Sequence, residues 1–289
     1  MLDHLDNIAQ SQMIDLPAGR FHYISWGAER TELPDVLLLH GITSSAASRV
    51  RVGPALADRY RVYALDQRGH GDSIKPSSGA YSLRQTADDA LAFIEALGLE
   101  RPVLIGHSWG GATALVLASG AASQKPVPNF SHIILEDPAH TFGRGDPEKR
   151  AADFTRDIGR PTGELRAEIA ASSPGWTEAD IEGKIDALHK VTREAVVSVF
   201  AEAGSASELL PLLAKIAVPT LLIRADPNLG TTLDDAAWER ARQYLPAHSR
   251  AIQIDGATHN VHRSKFNEFM QVVNAFLSQA ERDKSTNCP

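Results

Sequence analysis

Val103-Leu104-Ile105-Gly106-His107-Ser108-Trp109-Gly110-Gly111 decides the fold. A run of strand-forming apolar residues feeds directly into a serine flanked by glycines. The stretch over 110–117 that follows is small and apolar, as a helix buried against a sheet would be. A turn from strand to helix this tight forces the serine into strained φ/ψ, and side chains at positions 106 and 110 would clash. The strain presents the hydroxyl at the carboxyl end of the sheet, and the helix N-terminus behind it favours developing negative charge. A G-x-S-x-G pattern alone recurs by chance; set between strand and helix it points to Ser108 as a nucleophile. The competing reading is a structural turn carrying an incidental serine.

Outward from this turn, short apolar runs alternate with longer helical segments. Strands are expected at 21–26, 36–39, 61–65, 103–105, 132–135, 220–224 and 251–254. Several are near-continuous Val/Ile/Leu runs, the pattern of strands buried on both faces, so the expected class is α/β with a mostly parallel sheet flanked by helices. Helices are expected at 82–97, opened by the capping-box spacing of Ser82 and Gln85 and closed by Gly98, and at 238–244 and 266–277. From about 138 to 213 no strand pattern occurs. Helical pieces at 151–158, 163–171, 177–189 and 193–203 are punctuated by Pro161, Pro174, Gly175 and Pro211. The reading is a core of 1–137 and 214–289 with a helical cap, 138–213, inserted between two core strands; the alternative is a separate helical domain.

Two further loops carry candidate chemistry. His40-Gly41-Ile42-Thr43 follows the strand at 36–39, and the expected oxyanion donors are the backbone N–H groups of Ile42 and Trp109. Gly41 permits close backbone approach, and His40 reads as structural. Asp255-Gly256-Ala257-Thr258-His259 follows the final strand, where a general base for Ser108 belongs, so His259 is the expected base. His262, three residues on, reads as a surface or cap-contact residue. The loop Asp66-Gln67-Arg68-Gly69-His70-Gly71-Asp72-Ser73 reads as scaffold. The acid that orients the base is expected to be Glu136, the first residue past the apolar run 132–135, with Asp137 and Asp226 as alternatives.

The order HGITSS, DQRGHGDS, GHSWGG, LEDP and GATHN resembles the α/β-hydrolase superfamily over nearly the whole core. HGITS followed by DQRGHG resembles the 2-(acetamidomethylene)succinate hydrolases locally. That resemblance, shared with zearalenone lactonases and some haloalkane dehalogenases, implies an acid after the strand preceding the cap, in keeping with Glu136. In most of the superfamily the acid follows the strand read here at 220–224. The corresponding turn is Ala225-Asp226-Pro227-Asn228, and Asn228 stands where an aspartate is expected. Dehalogenase chemistry needs an aspartate nucleophile, which Ser108 disfavours. The resemblance therefore implies cleavage of a small-molecule ester, lactone or amide through an acyl-enzyme, with no cofactor and no metal. Cofactor-free oxygenase or lyase chemistry and a slow-turnover ligand receptor are the alternatives on the same fold. The cap matches nothing that fixes a substrate. Ile42, Trp109, Phe142 and Trp176 are candidates for an apolar substrate wall, each equally readable as packing. Arg144 and Arg160 are candidates to hold a substrate carboxylate, read first as solvated surface arginines.

Composition narrows the partners. The 289 residues carry a net charge of -7, with 43% hydrophobic and 22% charged residues, an ordinary globular balance with no basic footprint for nucleic acid. No apolar run approaches the roughly 20 residues that span a bilayer, and residues 1–12 lack the positive start and apolar core of a signal peptide. Cys288 is the single cysteine, so an internal disulfide and a CxxC metal site are excluded. The expectation is a cytoplasmic enzyme acting on a small molecule, without nucleic-acid or membrane partners and with homodimerisation left open.

Overall fold

The computed structural model describes residues 8–121, 126–143, 146–203 and 208–286. Strands β1 (Gln10–Leu16), β2 (Gly19–Trp26), β3 (Asp35–Leu39), β4 (Arg61–Leu65), β5 (Val103–His107), β6 (His132–Glu136), β7 (Thr220–Arg224) and β8 (Arg250–Gln253) form one eight-stranded sheet in the order β1-β2-β4-β3-β5-β6-β7-β8. The β1–β2 and β2–β4 pairings are antiparallel and every other pairing is parallel. This is the α/β-hydrolase fold, as the motif order implies.

The buried runs work as double-sided strands. Leu37, Leu39 and Leu104 join the apolar core on one face, with α2 (Leu83–Leu97) and α3 (Trp109–Ala118). Val36, Leu38 and Ile105 join the core on the other, with α1 (Val52–Ala57) and α10 (Phe266–Thr286). Alternate residues pointing to opposite faces is what a pleated strand requires, and burying each such side chain contributes roughly 1.5–3 kcal/mol. Ser82 caps α2 in the expected reciprocal box with Gln85, and Gly98 closes that helix in the left-handed conformation.

Several elements differ from the sequence expectation, among them β1, α1 and β6. β1 is an edge strand of largely polar residues, exposed along most of its length, so it lacks the apolar signal of the central strands. α1 contains Gly53 and Pro54, which weaken helical propensity. It is held by packing, since a Cβ on Gly53 would sit 2.4 Å from the Trp26 ring. β6 runs one residue further than expected, through Glu136.

Between β6 and β7 lie α4 (Pro147–Thr155), α5 (Thr162–Ser172), α6 (Glu178–Lys190) and α7 (Arg193–Ala203), with no strand among the described residues there. They rest on the loops that follow β3 and β4. Lys190 Nζ lies 2.6 Å from Asp72 Oδ2, Glu202 accepts from the backbone N–H of Gly79 and Tyr81, and Lys184 Nζ donates to Thr43 O at 2.8 Å. The remaining helices, α8 (Asp235–Tyr244) and α9 (Val261–Ser264), follow β7 and β8. No described helix is long and apolar enough to cross a membrane.

Candidate active site

Ser108 sits between β5 and α3 with φ 51° and ψ -116°, a region that a non-glycine residue occupies only when its surroundings enforce it. The enforcement is visible. A Cβ on Gly106 would lie 2.3 Å from Gly110 O, and one on Gly110 would lie 2.5 Å from His40 O. Backbone therefore packs against backbone on both sides of the serine. Three main-chain bonds complete the clamp: Ser108 N donates to Glu136 O at 3.0 Å, and Ser108 O accepts from Ala112 N at 2.9 Å and Ala139 N at 3.0 Å.

The loop after β3 reaches this turn. A Cβ on Gly41 would lie 3.2 Å from Ser108 Cβ, so only glycine lets the backbone come so near the serine. Ile42 follows at once, and Trp109 is the first residue of α3. Among the described residues neither backbone N–H donates to a protein acceptor. His40 is buried and structural in its contacts: its Nε2 accepts from Gln67 N at 3.0 Å, and burial lowers its pKa to about 4.

His259 Nδ1 lies 2.6 Å from Asp137 Oδ2. Facing a carboxylate, Nδ1 carries the proton and Nε2 keeps the lone pair a base needs. The Asp137 carboxylate is fully buried and also accepts from Thr231 Oγ1 at 2.5 Å, Thr232 N at 3.1 Å and Ala225 N at 3.3 Å. The main chain of His259 is tied to the residue before Ser108: His107 Nε2 lies 3.0 Å from His259 O and the two rings stand 4.7 Å apart.

This geometry corrects the expected acid. Asp137, the alternative, meets His259; Glu136 does not. The physical reason is register: β6 continues through Glu136, and pleat alternation sends its side chain to the face of Ile134, under α9 and α10. There Glu136 Oε1 meets His262 N at 2.9 Å and His262 Nδ1 at 2.7 Å, and Oε2 accepts from Arg49 at 3.2 Å. Asp137 leaves the strand with φ 39°, which turns it towards His259. His262 is likewise not at the surface: it is 2% exposed, and burial together with the Arg49 and Arg263 charges holds its pKa well below the ordinary value. Asp226 does not reach His259. It caps the turn after β7, accepting from Asn228 N at 2.9 Å and Gly256 N at 2.8 Å.

The other expected residues separate by burial. Ile42 is half-buried and touches both the core and the cluster of Ala151, Val191 and Val196 in the segment between β6 and β7. Trp109 and Phe142 are buried in the core, the Trp109 indole against the His70 ring at 4.9 Å. Trp176 is half-buried beneath Arg263, whose guanidinium carbon lies 4.2 Å from its ring. Arg160 is a surface arginine paired with Asp157 and Glu168, each at 2.7 Å. Arg144 and Cys288 lie outside the described residues. The Asp66–Ser73 loop is scaffold in its bonding: Asp66 accepts from Ala46 N, Asp72 N and His22, and Arg68 grips Asp89 with two bonds of 2.5 and 2.6 Å.

Sequence reasoning missed Arg49, Thr231, Thr232 and the Glu136–His262 pair. The His107, Glu136 and His262 ligand atoms lie within 4.8 Å of one another, a spacing a metal would accept. Arg49 already supplies the cation to that carboxylate, so the group carries no metal assignment.

Residues 34–265 match the protein family described as alpha/beta hydrolase fold. The chain belongs to that family. This alpha/beta hydrolase is 38% identical over 259 residues to the 2-(acetamidomethylene)succinate hydrolase of Mesorhizobium japonicum, covering 86% of this chain and 90% of the relative. It is 29% identical over 306 residues to epoxide hydrolase A of Mycobacterium tuberculosis, covering 86% and 91%. Among solved structures, E-2-(acetamidomethylene)succinate hydrolase superposes with a TM-score of 0.78 at 20% identity over 94% of this chain and 100% of that one. The enol-lactonase of Burkholderia xenovorans superposes at 0.73 and 23% identity over 92% and 100%. Its relatives identify this alpha/beta hydrolase as a hydrolase by class.

Proposed function

We propose that the protein is a serine hydrolase cleaving a small-molecule carboxylic ester, lactone or amide through an acyl-enzyme. The observation that carries this reading is the Asp137–His259 pair at 2.6 Å beside a serine held at φ 51°. His259 takes the Ser108 proton as the oxygen attacks the carbonyl carbon. The N–H groups of Ile42 and Trp109 receive the oxyanion, each worth about 3 kcal/mol to the transition state. Asp137 fixes the His259 tautomer and stabilises its cationic form. The proton passes to the leaving oxygen or nitrogen, and a water deprotonated by His259 then releases the acid from Ser108.

Epoxide opening, suggested by the second relative, fits this residue set poorly. A carboxylate nucleophile opens an epoxide to an ester, which water can cleave. A serine hydroxyl would leave an ether, which has no acyl carbon for water to attack. Serine at the elbow therefore favours acyl substrates, in the direction of the succinate-amide relative rather than the epoxide one.

Labelling with a fluorophosphonate probe, located by mass spectrometry, tests the reading. Rapid modification of Ser108 that disappears in His259→Ala supports it. An unmodified Ser108 overturns it, and oxygen consumption or tight binding without turnover would then separate the oxygenase and receptor alternatives.

A further inference from the structure

Positive charge is concentrated where the cap meets the reactive loops, and it is only partly answered. Arg49, Arg51 and Arg263 gather around two carboxylates, Glu136 and Asp180, and Lys184 lies within range of the Arg263 charge. Glu136 is taken by Arg49 at 3.2 Å and Asp180 by Arg51 at 3.0 Å. Arg263 is 1% exposed, its Nε is 4.0 Å from Asp180, and neither Nε nor Nη2 has a hydrogen-bond acceptor among the described residues. Lys184 Nζ donates only to uncharged oxygens, Thr43 O at 2.8 Å and Thr43 Oγ1 at 2.9 Å; Asp157 acts on it from a distance, and no described carboxylate lies within ion-pair reach. A buried cation without a counterion is costly, and a chain with net charge -7 has carboxylates enough to supply one.

The position of these cations relates them to the reaction. Thr43 follows Ile42, the proposed oxyanion donor, and Arg263 lies four residues past His259 with Trp176 of the cap segment stacked on it at 4.2 Å. Lys184 is half-buried beside the loop that follows β3. Burial and then the Arg263 charge hold its ammonium down, at about 7, a state that an incoming anion would relieve.

We propose that Lys184, backed by Arg263, forms a subsite for a carboxylate of the substrate, so that the acyl compound cleaved at Ser108 carries a second, anionic group. This rests on the acyl-hydrolase reading but is separable from it, because binding can be measured without turnover. Ser108→Ala protein is titrated calorimetrically with monomethyl succinate, glutarate and adipate, each against its neutral dimethyl ester. At least one monoanion is expected to bind about tenfold or more tightly than its diester, the difference one charge-assisted contact supplies. Lys184→Met in the same background removes that preference, and Lys184→Arg retains most of it. Equal affinities for all three pairs, or an undiminished preference in Lys184→Met, overturns the subsite. Should Lys184→Met fail to fold, the monoester–diester comparison in Ser108→Ala protein still decides. Failure of the serine reading would show separately, as an unlabelled Ser108 in the fluorophosphonate experiment.

Discussion

Asp137–His259 and Glu136–His262 are nearly the same object twice: adjacent carboxylates, histidines three residues apart, contacts of 2.6 and 2.7 Å. Their surroundings divide them. The His259 side chain is 28% exposed and its carboxylate is surrounded by neutral donors, whereas His262 is 2% exposed and its carboxylate is shared with the Arg49 guanidinium. The first pair keeps a partly exposed imidazole. The second is sealed and serves the frame: through Glu136 it joins β6 to α9, and through Arg49 to the Leu39 carbonyl at 2.9 Å, the last residue before the oxyanion loop. Exposure and charge, not bond length, distinguish the two pairs.

Ser108→Ala is the largest expected effect and shows what the open pair serves: ester hydrolysis should fall by about 10⁴ or more with the melting temperature little changed, measured by initial rates and calorimetry. Wild-type turnover in that variant would leave His259 without a nucleophile to activate. Next comes the sealed pair. Glu136→Gln leaves Arg49 buried beside a neutral partner, so stability to urea should drop by roughly 3–5 kcal/mol. An unchanged unfolding midpoint would make the brace dispensable.

Acid sharpens the contrast through the buried histidines. His40 and His70, at about 4 and 3, and His107 and His262, well below their ordinary value, are all held neutral chiefly by burial. With folded pKa values depressed below the unfolded 6.5, the unfolded chain binds more protons, so stability is present above that value and is lost as pH falls below it. His22, raised chiefly by its bond to Asp66, acts in the opposite sense and offsets part of the loss. Melting temperature should therefore fall between pH 7 and 5, and a flat profile would show that these rings do not stay neutral. The smallest effect is expected for Asp226→Asn, which alters a half-exposed turn cap and should leave the melting temperature nearly unchanged and turnover within a small factor of wild type.

Much of this was legible in the sequence, because tight turns and buried strands leave strong local marks. The strained turn at Ser108, the parallel strands and the placing of His259 after the final strand each follow from residues within a few positions of one another. The acid did not. Leu135-Glu136-Asp137 presents two carboxylates, and choosing between them depends on whether the strand ends at 135 or 136, a boundary set by pairing with β5 and β7 rather than by composition. His262 misled for a related reason: its partner lies 126 residues away. β1 was illegible because an exposed edge strand carries no apolar run, and Arg49 because an arginine normally marks the surface.

Steady-state turnover of p-nitrophenyl esters by Asp137→Asn and Glu136→Gln, at a temperature where both are folded, tests the central claim most directly. A kcat loss of about 10⁴ is expected in Asp137→Asn and a far smaller one in Glu136→Gln. The reverse ranking would contradict it and return the acid to Glu136.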